Sequence, residues 1–155
     1  MPINYTSGDL FVNRHQAEAF AHGCNCRGSM AAGIAVEFKK LYPEMYEAYR
    51  ARCKAEPRQF NPGDSFLWKA QGQPSVFNLG TQERPGGHAT YQAVETAMGN
   101  MRQQAEAEHI GSIAMPRIGA GYGRLSWAKV RIVIERVLGD WHGALYVYEE
   151  YIPDT

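Results

Sequence analysis

Several things are scarce in this chain of 155 residues, and each scarcity removes a class of function. No apolar run approaches the roughly 18 residues of a membrane-spanning helix. The first residues, MPINYTSGD, carry no signal-like apolar core, so the expected location is cytoplasmic. An excess of one charge is missing too: 16 Lys and Arg balance 16 Asp and Glu, for a formal net charge of zero. A domain that coats nucleic acid by bulk electrostatics is therefore not expected, and only a local basic patch would serve. Cysteine is limited to Cys24, Cys26 and Cys53. Their number is odd, the spacing of Cys24 and Cys26 is too short for a zinc knuckle, and no second pair follows. They are expected as small buried thiols in a reducing compartment, with no metal and no cofactor.

What is present fits one soluble globular domain. The hydrophobic fraction is 45% and the charged fraction 21%, ordinary values for such a protein. No repeat, charge block or low-complexity linker divides the chain, so a single domain over residues 1–155 is expected, burying roughly two-thirds of its unfolded surface. Apolar segments of strand character alternate with amphipathic helical ones. Strands are expected at 3–6, 19–24, 65–69, 75–79, 112–115 and 144–149, the middle two joined by a turn at 71–74. Helices are expected at 33–41, stopped near Pro43, and at 44–54. A third spans 90–108, where Tyr91, Val94, Met98, Met101 and Ala105 step at helical spacing. A fourth carries Trp127, Val130, Ile134, Val137 and Leu138 on one face, with Ser126 as N-cap and Gly139 as stop. The alternation specifies an α/β protein with a mostly parallel sheet covered by helices, and in such sheets ligands collect beyond the carboxyl ends of the strands.

Two loops rich in small residues lie at those ends. SMAAGIAVEF occupies 29–38, and PRIGAGYGRLSW occupies 116–127. In the second, Gly119, Gly121 and Gly123 fall at every second residue, more glycine than a connection needs. Small residues let backbone approach a ligand closely, and free amides at a helix start suit phosphate oxygens. Neither loop carries the Lys-Ser or Lys-Thr pair of a nucleotide triphosphatase, and no acidic residue completes a dinucleotide fingerprint. The two loops together read as two clamps, working through backbone amides, on one diphosphate ligand.

Four segments resemble the macrodomains, modules that bind ADP-ribose: Gly8-Asp9-Leu10-Phe11, the stretch from His22 to Ala35, Asn78 to Thr81, and AMPRIGAGYGRLSW at 114–127. The chain is most similar to the subgroup containing terminal ADP-ribose protein glycohydrolase and the macrodomain of a chromatin-remodelling helicase. The resemblance implies a single three-layer α/β/α macrodomain with a mixed, mostly parallel central sheet. It implies that Asp9 and Leu10 contact the adenine, unless Asp9 caps the loop that follows it. Met30, Ala31, Ala32, Gly33, Ile34 and Ala35 would form the first diphosphate loop, and Ile118, Gly119, Ala120, Gly121 and Tyr122 the second. Asn25 would bind ribose hydroxyls or stabilise a turn, and Thr81 would line the site. Tyr122 and Tyr151 would either pack on the ligand or belong to core and rim.

Catalysis is where the residues depart from that subgroup. The related glycohydrolase carries a lysine after the Thr81 position and an acid in its second loop; this chain has Leu79-Gly80-Thr81-Gln82-Glu83-Arg84, and Gly123 at the acid position. An amine nucleophile and a carboxylate acid/base are both absent from those positions. Glu83, beside Arg84, and His88 are the remaining catalytic candidates, on a loop that Gly86 and Gly87 make mobile, and the same loop also reads as a solvated connection. The expected function is ADP-ribose binding with hydrolysis of ADP-ribosyl linkages on a modified macromolecule. The alternatives are a reader that binds ADP-ribose or ADP-ribosylated partners without turnover, or an enzyme acting on O-acetyl-ADP-ribose or ADP-ribose-1″-phosphate. A role in reversing nucleic-acid ADP-ribosylation would need the local basic patch.

Overall fold

The structure, a computed structural model, describes residues 3–154, so the ends of the expected 1–155 domain lie outside the described residues. Six strands form one sheet: β1 (Ile3–Gly8), β2 (Ala19–Asn25), β3 (Ser65–Trp68), β4 (Ser75–Gln82), β5 (Ser112–Pro116) and β6 (Ala144–Tyr151). Their order across the sheet is β1-β6-β5-β2-β4-β3. Every pairing is parallel except that of β3 with β4 at one edge. Four helices cover it: α1 (Ala35–Leu41), α2 (Pro43–Lys54), α3 (Tyr91–Ala107) and α4 (Trp127–Leu138).

Side-chain alternation along the strands builds two cores, one on each face. Ile113, Met115, Leu145 and Val147 point to one side, where α3 and α4 bring Val94, Met98, Met101, Val130 and Ile134. Phe20, Val76, Ala114 and Tyr148 point to the other, against Phe38, Met45 and Tyr49 of α1 and α2. The expected three-layer arrangement follows from this alternation. Among the described residues no helix is long and apolar enough to cross a membrane.

Local chemistry sets the helix ends. Pro43 opens α2 at a position where its missing N–H costs nothing, and the Thr90 hydroxyl caps α3 by accepting from the Ala93 N–H. Two expectations need correction. The first helix starts at Ala35 rather than at residue 33, because Gly33 has a left-handed φ of +62° and belongs to the preceding turn. Ser126 stands at the N-cap of α4 as expected, but its hydroxyl caps nothing; its N–H instead donates to the Tyr91 hydroxyl at 3.0 Å.

Both register irregularities of the sheet fall at its carboxyl end. In the β2–β4 pair Cys24 faces Gly80 and Asn25 faces Gln82, which leaves Thr81 as the extra residue of a bulge. In the β1–β6 pair Thr6 faces Tyr148 and Ser7 faces Glu150, leaving Glu149 extra. A bulge twists the strand locally and re-aims the side chains around it. Thr81, Gln82 and Glu149 all border the cleft described next.

Candidate functional site

The parallel strands open at their carboxyl ends onto a cleft made of two connected hollows. The larger, about 260 Å³, lies between the two small-residue loops. Ala32, Gly33, Ile34 and Ala35 form one wall, Ile118, Gly119, Gly121 and Tyr122 the other, with Gly23 and Thr81 contributing from β2 and β4 and Tyr148 and Tyr151 from β6. The smaller, about 170 Å³, is lined by Asn25, Met30, Ala31, Pro85 and Gly86 among others, and it shares Gly23, Ala32, Ala35, Gln82 and Tyr122 with its neighbour. The shared residues make the two hollows one continuous cleft. A roomier depression of about 520 Å³ beside β3 and α3 is lined by Arg52, Gln59 and Asn100 and holds none of the expected site residues.

The loops touch across the cleft. A Cβ on Gly33 would sit 2.8 Å from the Tyr122 ring, so the absence of a side chain there lets the second loop rest on the first. At the start of the first loop Asn25 folds a turn: its Oδ1 accepts from the N–H groups of Arg27 (2.9 Å) and Ser29 (3.3 Å), and its Nδ2 donates to the Ser29 carbonyl (2.8 Å). Tyr46 and Tyr49 of α2 hold the same turn by donating to the Gly28 and Asn25 carbonyls. The second loop is held by its own backbone, with Ala120 N–H donating to Arg117, Arg124 N–H to Gly121 and Leu125 N–H to Gly119.

Those bonds leave a specific set of donors over. Among the described residues nothing accepts from the N–H groups of Ala32, Gly33, Ile34 and Ala35 on one wall, or of Gly119, Gly121, Tyr122 and Gly123 on the other. Spare backbone amides gathered at a concave site are the donors that an anion-binding concavity uses.

The structure thus brings together most of the residues expected at the site. Ala32, Gly33, Ile34, Ala35, Thr81, Ile118, Gly119, Gly121 and Tyr122 line the larger hollow, and Asn25, Met30 and Ala31 the smaller. Ala120 belongs to the second loop but lines neither hollow. Asp9 and Leu10 also stand outside the lining. Leu10 is fully buried, and Asp9 caps the 3-10 turn Leu10–Val12, with Oδ1 accepting from Phe11 N–H and Oδ2 from Asp154 N–H, both at 2.9 Å.

Neither catalytic candidate faces the cleft. Glu83 forms a two-pronged ion pair with Arg58, with Arg27 at 3.7 Å, and the Arg58 guanidinium holds its carboxyl below the usual range. A carboxylate held so is a weak base. The guanidinium beside it is Arg58, not Arg84, whose Nε instead donates to His88 Nε2 at 3.2 Å in the exposed part of the loop. Gly123, at the acid position of the related enzyme, is closed to any side chain: a Cβ there would lie 2.6 Å from Ala89 Cβ and 2.7 Å from the Gly119 carbonyl oxygen. Cys24, Cys26 and Cys53 are free and buried, and burial pushes the Cys26 thiol up to about 12.

Two further residues border the cleft: Gln82, directly after Thr81 where the related glycohydrolase carries its lysine, and Tyr148, which carries no signal in the sequence. Gln82 Oε1 and Tyr148 Oη are buried and have no hydrogen-bond partner. Burial pushes the Tyr148 phenol up, partly countered by Arg14. A buried hydroxyl without a partner costs stability, so Tyr148→Phe should raise the stability of the free protein by about 1 kcal/mol. Thermal unfolding checks this; a loss of stability would mean that the hydroxyl is satisfied.

Residues 21–134 match the model of the Macro domain. The chain belongs to the Macro domain family. This macrodomain is 31% identical over 131 residues to the DNA ADP-ribosyl glycohydrolase of Mycobacterium tuberculosis, covering 83% of the present chain and 36% of the relative. It therefore spans about a third of that relative's length. It is 30% identical over 135 residues to human ADP-ribose glycohydrolase OARD1, covering 87% of this chain and 83% of the relative. Among solved structures, the macrodomain of Mycobacterium tuberculosis DarG superposes with a TM-score of 0.82 at 27% identity, covering 98% of both chains. The mixed, mostly parallel sheet flanked by helices is the fold that these structures share with this macrodomain.

Proposed function

We propose that this macrodomain binds ADP-ribose in the cleft and releases it from a modified macromolecule by hydrolysis of the ADP-ribosyl linkage. The observation that carries the binding half is the pair of walls with unpaired amides, those of Ala32 to Ala35 against those of Gly119, Gly121, Tyr122 and Gly123, set at the carboxyl ends of β2 and β5. A diphosphate is the ligand group whose several acceptor oxygens match two rows of donors at once. With the diphosphate between the loops, the end of the cleft at Tyr148 and Tyr151 takes the adenosine, and the end at Asn25 and Gln82 takes the second ribose. The hydrolytic half is supported by the activities for which the mycobacterial and human relatives are named.

A reader without turnover is the second reading, and one observation favours it. The space that an acid would occupy at position 123 is filled by Ala89 and the Gly119 carbonyl, while Glu83 is tied to Arg58.

Calorimetry with ADP-ribose, followed by incubation with ADP-ribosylated protein, ADP-ribosylated DNA and O-acetyl-ADP-ribose, separates the two. Binding and release of ADP-ribose from at least one substrate is the expected result. Binding with no release from any of them leaves the reader, and no binding at high micromolar ligand overturns both.

A further inference from the structure

Gln82 ends β4 just after the bulge at Thr81, and it borders both hollows where they join. Its backbone is fixed on two sides, by the register with Asn25 and by a bridge to Ala89 that closes the base of the 83–88 loop. Its side chain is not fixed. Oε1 is buried without a partner, and among the described residues nothing accepts from Nε2. A buried acceptor left unpaired is costly, and it is tolerated where a ligand completes it.

The surroundings define what that ligand group is. Every side chain lining the smaller hollow is uncharged. An amide offers one acceptor and two donors on adjacent atoms. Phosphate oxygens use only donors, whereas neighbouring sugar hydroxyls, each both donor and acceptor, use the whole amide. Asn25, the other amide in this hollow, has its oxygen committed to the N–H groups of Arg27 and Ser29 and one of its two amide hydrogens to the Ser29 carbonyl, so it cannot offer a neighbouring hydroxyl pair both an acceptor and a donor. Thr81 is committed too, since its hydroxyl donates to the Cys24 carbonyl at 3.4 Å.

We propose that Gln82 is the residue that reads the second ribose, accepting from one hydroxyl and donating to its neighbour, and that it sets the preference for ADP-ribose over ADP. The inference rests on the ADP-ribose reading of the cleft. It gives Gln82 a positioning and specificity role; an amide is neither a nucleophile nor a base at neutral pH.

The test compares two nucleotides that differ only beyond the diphosphate. Wild-type protein should bind ADP-ribose more tightly than ADP. Gln82→Leu should weaken ADP-ribose about tenfold, the loss expected for one buried polar anchor, and leave ADP within about twofold. Equal losses for both nucleotides, or no loss for either, would overturn the role of Gln82 while leaving ADP-ribose binding intact. A wild-type protein that binds neither nucleotide would overturn the reading of the cleft itself. Should the leucine variant fail to fold, the assigned side-chain amide resonances of Gln82 in wild-type protein give an independent readout. They should move on addition of ADP-ribose and stay in place with ADP; the reverse pattern, or no movement with either, refutes the proposal.

Discussion

Gly121→Glu should weaken ADP-ribose binding by at least about a hundredfold, roughly 3 kcal/mol, and leave the fold intact. Gly121 lines the larger hollow, a Cβ added to it would meet nothing within 4 Å, and its φ lies outside the left-handed region. A side chain there is therefore accommodated by the backbone, at the exposed rim of the space between the loops. A carboxylate in that space removes volume from the ligand and sets a negative charge against the diphosphate, among amides that would otherwise receive it. Gly119 two residues earlier provides the contrast. It has a φ of +79°, and its Cβ would press on Val94 and Leu125 at 3.0 and 3.1 Å, so a side chain added there would enter the core although the backbone lines the hollow. Gly119→Glu would therefore lose stability along with binding, and only the Gly121 variant isolates the clamp. Calorimetry with ADP-ribose, beside thermal unfolding of the same sample, decides it: affinity within fivefold of wild type would exclude the two-loop clamp.

The two small-residue loops at the cleft were legible in the sequence because their requirements are local. Small residues between a strand and a helix produce spare amides wherever the chain turns there, and the two loops announce themselves at 29–38 and 116–127. What local pattern did not carry is how residues distant in sequence divide the polar work. Asn25 and Asp9 each read either as a ligand contact or as a local turn former; the bonds made here are Asn25 folding the first loop and Asp9 tying Phe11 to Asp154. Glu83 read as a neighbour of Arg84 because its actual partner, Arg58, lies 25 residues earlier, on the segment that leads into β3. Tyr148 gave no signal, since its place at the cleft comes from the parity of a strand; Gln82 stood out only as the residue at the related enzyme's lysine position, because the bulge that precedes it has no compositional mark. The glycine at 123 looked like a missing acid; it is also a packing requirement, because Ala89 stands where a side chain would begin.

Stability should fall by about 2 to 3 kcal/mol between pH 7.5 and pH 4.5 through His22 alone. This histidine, on the face of β2 opposite α3 and α4, is fully buried and stacks on Phe38 with ring centroids 3.9 Å apart. Its Nε2 lies 2.7 Å from Asn78 Oδ1, and the Asn78 amide is oriented by donating its Nδ2 to the Phe66 carbonyl at 3.1 Å. That orientation makes Nε2 the protonated nitrogen of a neutral ring. A second proton would go to Nδ1, which has the Cys24 thiol at 4.0 Å, and among the described residues no carboxylate pairs with it to receive the charge. Burial therefore lowers the His22 pKa to about 4, against 6.5 for the ordinary side chain. The unfolded chain takes up the proton first, so the stabilisation is complete above pH 6.5 and drains away as the pH falls toward 4. The Glu83–Arg58 pair acts in the same direction at lower pH, since its carboxyl is also held below the usual range. His22→Gln keeps a donor near the Nε2 position without a titrating group. It should be less stable than wild type at pH 7.5, because it loses the stack on Phe38, yet its stability should change less between the two pH values. Chemical unfolding at pH 7.5 and 4.5 measures both slopes, and identical slopes for the two proteins would remove His22 as the source of acid sensitivity.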